Sequence, residues 1–392
     1  MNLFKKTILL NYVSVASTES AVLTPAFPQI QTAFHLDNGA LSSLMTLFLL
    51  GYVLCQLAFG PLANRFGRLN CLRIGFTINL LGLALGLIAG LTHHYDLLLA
   101  SRFITALGGA VGLSGTFTLI HELMDETEAK GALSFLVLSF MLGIGLGVFV
   151  GGVLVQNFGW LSIFEAMLLY GALMLISTFL FQEPLFTRQT ISLSALLHGY
   201  TSCLKNKALR AYAFILGYTS VVSYAYSTAA PFISAHNLHL NSSEYGRCNL
   251  IIMLGMLAGS LHGKRLIAKL GMQKVLTIGL LGLTLCAICL LAVFTASLEN
   301  VWIFFGIAML LYYFGGLLFP AASSLAMKDA TDRGSSSGMM NFINLMTAAI
   351  ALVMLGYFPF GMTWNFLAVL SLGAVLSWVV LWMITYRSPQ PS

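Results

Sequence analysis

The chain has 392 residues, of which 58% are hydrophobic and only 8% charged, and its formal net charge is +6. A soluble domain carries about 25% charged residues, so this composition excludes a soluble globular protein and points to a chain built for the bilayer. The positive balance is not a nucleic-acid footprint, because the basic residues are spread over short polar intervals rather than gathered on one face.

The apolar content arrives in runs of about 20 residues, enough to cross roughly 30 Å of hydrocarbon at about 1.5 Å per residue. Helices satisfy their own backbone groups there, and the alternating strands of a β-barrel are not found in the pattern. Twelve spans are predicted, over residues 7–31, 41–63, 69–91, 96–121, 131–155, 160–181, 208–235, 243–263, 272–295, 299–326, 334–357 and 363–385. With the N-terminus placed inside, the inner loops collect Lys5, Lys6, Arg65, Arg68, Arg73, Lys130, Arg188, Lys205, Lys207, Arg210, Lys264, Arg265, Lys269, Lys274, Lys328, Arg333 and Arg387. Arg247 alone falls outside, and Arg102 lies within a span. This asymmetry obeys the positive-inside rule and assigns both termini to the cytoplasm. The first run, after Lys5 and Lys6, is too long for the apolar region of a cleavable signal peptide.

Between the second and third runs lies Gly60-Pro61-Leu62-Ala63-Asn64-Arg65-Phe66-Gly67-Arg68. Arg65, Arg68 and Arg73 do not enter hydrocarbon cheaply, so a tight hairpin at the inner surface is predicted. Gly60 and Gly67 let the helix ends approach. The stretch resembles the G-x-L-[AS]-D-[RK]-x-G-R-[RK] pattern of the major facilitator superfamily, with Asn64 in place of its Asp.

Further stretches resemble the drug:proton antiporter branch of that superfamily, in particular its bicyclomycin and chloramphenicol resistance subfamily. The first span ends Thr24-Pro25-Ala26-Phe27-Pro28, with Ala21 where the subfamily has an acid. The fourth holds Arg102-Phe103-Ile104-Thr105-Ala106-Leu107-Gly108, like R-F-x-Q-x-x-G with Thr105 for Gln. The fifth carries Gly143, Gly147, Gly151 and Gly152, like G-x-x-x-G-P-x-x-G-G with Val148 for Pro. The seventh has Tyr226-Ser227-Thr228-Ala229-Ala230-Pro231-Phe232, like Y-x-x-x-S-P-F.

The resemblance implies an all-α membrane fold of twelve helices in two pseudo-symmetric six-helix bundles, with a cavity lined by the first and fourth helices. It also implies gating roles for Gly60, Asn64, Arg65, Gly67 and Arg68. The glycines of the fifth span form small-x-x-x-small steps that permit close helix contact, and in the family that face also permits sliding. Two internal echoes support duplication: Pro28 with Pro231, and Arg65-Phe66-Gly67 with Lys269-Leu270-Gly271, recur at nearly the same offset. The expected domains are 1–181, a cytoplasmic linker over 182–207, and 208–392. In the linker Leu193, Leu196, Leu197, Tyr200 and Leu204 recur at helical spacing, predicting an amphipathic helix on the inner surface.

A charge inside a span needs a partner or a wet cavity. Glu19 lies roughly 18 Å up an outward-running span and Arg102 roughly 9 Å down an inward-running one, which places them at similar depth. Glu19 is the candidate proton carrier, with Arg102 beside it. The alternative is a permanent ion pair that fixes two helices. Glu165, near the outer end of the sixth span, is a weaker candidate with a solvated or capping role. The acidic stretch Glu122, Asp125, Glu126 and Glu128 pairs with Arg65, Arg68 or Lys130, or else is a solvated turn. Tyr218, Tyr224 and Tyr226, Tyr312 and Tyr313, and Asn341 and Asn344 suit an amphipathic organic ligand, although aromatic residues are also ordinary packing.

The six cysteines show no pairing pattern and are expected to be free. His93, His94, His121, His236, His239 and His262 form no spaced ligand set, so no metal is expected. No cofactor is expected either, and without a nucleotide-binding loop an ion gradient is the remaining energy source. The leading expectation is a monomeric, proton-coupled exporter of a drug or metabolite in a bacterial inner membrane. Its rivals are a transporter of an anionic metabolite or siderophore bound through Arg102, and a sensor that kept the fold without transport.

Overall fold

A computed structural model describes residues 3–184, 199–330 and 333–387. Among these the regular elements are helices, and no strand occurs. The first span is broken into α1 (Leu3–Val22), a 3₁₀ turn over Thr24–Ala26 and a short α2 (Phe27–Phe34). Pro25 and Pro28 each sit at the first positions of their segments, where a missing N–H costs nothing. Pro28 therefore starts a helix instead of ending the span as expected.

The first half continues with α3 (Asn38–Phe66), α4 (Arg68–Thr92), α5 (Tyr95–Gly109), α6 (Val111–Leu123), α7 (Glu126–Phe158) and α8 (Ser162–Ser177). α5 and α6 together make the fourth span, interrupted at Ala110. The second half holds α9 (Lys207–His236), α10 (Ser242–Leu270), α11 (Met272–Thr295), α12 (Val301–Ala326), α13 (Arg333–Tyr357) and α14 (Met362–Arg387). Pro231 lies inside α9 and does not end it. Polar residues just before the first turns fix several starts. Asp37 accepts from Ala40 N–H at 2.7 Å, and Asn206 from Leu209 N–H at 3.0 Å. Asn241 and Glu244 cap each other reciprocally, both bonds 2.9 Å.

Among the described residues ten segments are long and apolar enough to cross a membrane. The two remaining spans, α1 and α9, are long enough at 20 and 30 residues but more polar. That polarity is informative, because it gathers the chain's intramembrane Glu19 and the Ser- and Tyr-rich face of the seventh span.

The chain forms two compact units, Met1–Ile191 with Leu240–Leu250, and Ser192–His239 with Ile251–Ser392. In the first, α1 packs on α7 and α4 on α5; in the second, α9 packs on α13 and α11 on α12. The pairing of spans one with five and three with four thus repeats as seven with eleven and nine with ten. Leu193, Leu196 and Leu197 of the expected linker helix lie outside the described residues. Beyond them, residues 199–203 are helical, and Cys203 packs with Leu209 and Met339, flanked by Tyr200.

The hairpin is tighter than predicted. α3 runs through Phe66, so Gly67 alone separates it from α4, with φ 101° and ψ 154°. Only glycine occupies that region without strain. Gly60 lies within α3, and a Cβ added there would meet nothing within 4 Å. The close approach expected of Gly60 is therefore not made.

Candidate functional site

Glu19 and Arg102 are both buried, at 1% and 3% exposure, so neither charge is relieved by water. They meet, but not as carboxylate and guanidinium. Arg102 Nη2 donates to the main-chain carbonyl of Glu19 at 3.2 Å, and its guanidinium lies 4.4 Å over the ring of Phe48. Its Nε has no hydrogen-bond partner among the described residues. Among those residues the ion pairs are Lys6–Glu128 and Arg68–Glu122, and the permanent Glu19–Arg102 ion pair does not form.

The carboxylate is held by Asn79 of α4. Asn79 Nδ2 stands 2.9 and 2.8 Å from the two Glu19 oxygens and 2.9 Å from the carbonyl of Thr105. Small residues make this convergence possible. A Cβ on Gly109 would lie 2.7 Å from Glu19 Oε2, and one on Gly108 would collide with the backbone of Asn79. Sequence reasoning missed Asn79. Its only signal is a carboxamide inside an apolar run, a group that costs free energy when buried unless it is bonded.

The end of this unit at the α3–α4 turn carries the gating candidates. Glu183 accepts the N–H groups of Arg68, Leu69 and Asn70, with the Leu69 bond at 3.0 Å and the Asn70 bond at 3.2 Å. A carboxylate on a helix N-terminus is favoured by the helix dipole and satisfies orphan donors. Arg68 Nε donates to Glu122 Oε1 at 2.8 Å, and Lys6 Nζ to Glu128 Oε1 at 2.8 Å. The Lys6 bond holds the Glu128 carboxyl below the usual carboxylate range. The acidic stretch is therefore paired in part, with Lys6 as an unforeseen partner. Asn64 and Arg65 occupy the last turn of α3, and the Arg65 guanidinium lies 5.3 Å from the ring of Phe66.

The glycine face of α7 lies against α1. A Cβ on Gly143 would run into Ser17 Oγ and one on Gly151 into the Val22 carbonyl, while Gly147 would meet Thr18 O at 3.2 Å. Gly152 faces the carbonyl of Ser242, whose hydroxyl donates to Pro25 O at 3.3 Å. These glycines are needed for contact; Val148 beside them is buried.

In the second unit the aromatic candidates divide. Tyr226 stacks on Phe304 with centroids 6.0 Å apart and meets Tyr312 edge-on at 5.7 Å. The Tyr218 hydroxyl donates to Leu370 O at 3.0 Å, and the Tyr312 hydroxyl to Ser223 O at 3.3 Å. Tyr218, Tyr226 and Tyr312 are thus core residues. Tyr224, Tyr313 and Asn341 are partly exposed, and the Tyr313 hydroxyl bonds His262 Nδ1 at 2.6 Å. Asn344 is buried, with its Oδ1 unpartnered among the described residues. Glu165 is exposed in the first turn of α8, where a carboxylate suits the helix dipole. The six cysteines are free, and among the described residues no three metal-ligating side chains cluster.

A model described as Major Facilitator Superfamily matches residues 9–344 and 212–392. The chain is 25% identical over 397 residues to an uncharacterized transporter of Rickettsia felis, covering 96% of each. It is 25% identical over 337 residues to the multidrug resistance protein D of Escherichia coli, covering 84% of this chain and 81% of that one. To the bicyclomycin resistance protein homolog of Haemophilus influenzae it is 22% identical over 334 residues, covering 83% and 82%. Among solved structures, a D-xylose-proton symporter superposes with TM-score 0.77 at 16% identity, covering 96% of this chain and 98% of that one.

Proposed function

The chain belongs to the Major Facilitator Superfamily and is a multi-pass membrane transporter, not an enzyme; on that premise we propose that it exports a small amphipathic organic compound, drug or metabolite, in exchange for protons by alternating access. Relatives named for multidrug and bicyclomycin resistance support the substrate class. The observation that carries proton coupling is the environment of Glu19. A buried carboxyl held by a neutral amide, with no cation on its oxygens among the described residues, gains or loses a proton without breaking an ion pair. The other carboxylates of the described residues sit at helix ends or in loops. The proton gradient is then the energy source, and the bacterial inner membrane, with both termini in the cytoplasm, is the location that fits it. The partly exposed Tyr224, Tyr313 and Asn341 are the candidate substrate contacts of the second unit.

The test is transport in everted membrane vesicles with an imposed pH gradient, using tetraphenylphosphonium as a cationic probe and bicyclomycin as a neutral one. Accumulation of either that follows the gradient supports the reading. Accumulation that ignores the gradient rejects it. A second reading, transport of an anionic metabolite, is favoured by the unpartnered Nε of Arg102, which an anionic group would satisfy. Arg102→Lys abolishing anion transport while sparing tetraphenylphosphonium would select it.

A further inference from the structure

We infer that Asn79 is the positioning residue of proton exchange at Glu19, a two-way partner that meets the carboxylate with its NH₂ group and the carboxylic acid with its carbonyl oxygen. The inference rests on the proton-exchange reading of Glu19. In the observed arrangement one NH₂ group spans both carboxylate oxygens at 2.9 and 2.8 Å, a geometry that suits the ionised form, which only accepts hydrogen bonds. Asn79 Oδ1, at the other end of the same amide, is buried and has no hydrogen-bond partner among the described residues. That unpaired acceptor is the second half of the device.

When a proton bonds to one Glu19 oxygen, the new O–H is a donor facing another donor. The proton comes from water, so one O–H bond breaks as the carboxylic O–H forms. Rotation of the Asn79 amide about its last torsion then gives up the 2.9 Å bond from Nδ2 to the Thr105 carbonyl and brings Oδ1 to the new O–H. Gly171 of α8 leaves room for the turn, since a Cβ there would lie 3.3 Å from Oδ1. An Arg or Lys at this position only donates and would hold Glu19 charged. The charged or titratable groups facing Glu19 from the elements packed on α1 are Arg102 of α5 and Tyr170 of α8. Arg102 is engaged with the Glu19 main chain, and Tyr170 with Ser14 Oγ at 2.7 Å. The titratable residues of α4, α6 and α7 are confined in sequence to the two turns nearest one end of each helix, between residues 68 and 73, at 121 and 122, and between 126 and 130. Asn79, with its Oδ1 unpartnered among the described residues, is therefore the group placed to answer a change of charge on the carboxyl.

The experiment is infrared difference spectroscopy, acidic minus neutral, on the full-length protein in liposomes with its asparagines labelled at the side-chain carbonyl with carbon-13. The expected result is a carboxylic C=O band that is lost in Glu19→Gln. It is accompanied by a shift of a labelled amide band that is lost in both Glu19→Gln and Asn79→Gln. A Glu19 band with no accompanying amide shift overturns the inference and leaves proton exchange standing. No Glu19 band at all overturns the proton reading and the inference with it. In vesicles, Asn79→Leu is expected to lower pH-gradient-driven tetraphenylphosphonium flux at least tenfold, with Asn79→Gln recovering part of it. Wild-type flux and pH profile in Asn79→Leu would also overturn the inference.

Discussion

The carboxyl group of Glu183 occupies the space that a side chain at Gly67 would enter: a Cβ built on Gly67 lies 2.9 Å from Glu183 Cδ. The turn and its cap are therefore one structure, glycine supplying both a backbone conformation and a vacancy for the carboxylate that satisfies the start of α4. Gly67→Ala combines backbone strain with loss of that cap and is expected to cost about 1–3 kcal/mol. Glu183→Ala removes the cap alone and is expected to cost about 1 kcal/mol. Gly60→Ala, in the same motif but inside a helix and facing open space, is expected to be neutral or stabilising. Thermal unfolding of the three variants in one detergent orders them. Equal losses at Gly60 and Gly67 would show that the motif's glycines act through something other than this turn.

The Lys6–Glu128 bond, on residues just outside the spans predicted over 7–31 and 131–155, makes a pH-dependent prediction. Glu128 is held below its ordinary range, so its contribution is fully present above the unfolded value of about 4.3 and is lost as the pH falls through the folded value. Lys6→Met is expected to be less stable than the wild type at neutral pH, with the difference shrinking as the pH falls below the unfolded value of about 4.3. Unfolding midpoints of both proteins across that range decide it. A difference that persists in acid would mean that Lys6 acts through packing.

Along the α1–α7 contact the glycines are not equivalent. Gly151 faces the Val22 carbonyl, which is backbone and yields only if the helix moves, whereas Gly143 faces Ser17 Oγ, which can rotate. Gly151→Ala is expected to cost about 1–3 kcal/mol and Gly143→Ala clearly less. Transport should follow the same order if the contact must slide. Loss of transport in Gly143→Ala at wild-type stability would separate sliding from packing.

Hydropathy placed the spans closely because a run of about 20 apolar residues has few other fates in a chain this poor in charge. The ninth span, predicted over 272–295, is α11 at Met272–Thr295. The breaks at Pro25 and Ala110 were less legible, since a helix can also pass through proline, as α9 does at Pro231. Glu19 and Arg102 stood out because a charge in hydrocarbon needs a reason. Asn79 did not, because its role depends on how α4 is rotated against α1 and α5, and the glycines that set that rotation have no side chain to read. Glu183 gave no signal as a cap, since its three N–H partners lie more than a hundred residues earlier.

The geometry of Glu19 and Arg102 changes what neutralising either one should do. A carboxylate–guanidinium pair would make Glu19→Gln strand a buried cation, at several kcal/mol, and only a second neutralisation would restore stability. Here Arg102 is bonded to the main-chain carbonyl of residue 19 and rests on Phe48, neither of which depends on the residue 19 side chain. Glu19→Gln is therefore expected to unfold within a few degrees of the wild type. Its carboxamide retains one oxygen for Asn79 Nδ2 while losing the ability to exchange a proton. Arg102→Met is expected to be the more damaging change, losing the bond between α5 and α1 and the contact with Phe48 together, by about 2 kcal/mol. In vesicles, Glu19→Gln should lose pH-gradient-driven flux while still exchanging substrate across the membrane at equal pH, because that half of the cycle needs no proton transfer. Thermal unfolding and the two transport modes, measured on the same preparations, check each step. A stable Glu19→Gln with full gradient-driven flux would remove Glu19 from the coupling mechanism. An unstable one rescued by Arg102→Met would mean that the carboxylate and guanidinium pair in another state of the cycle.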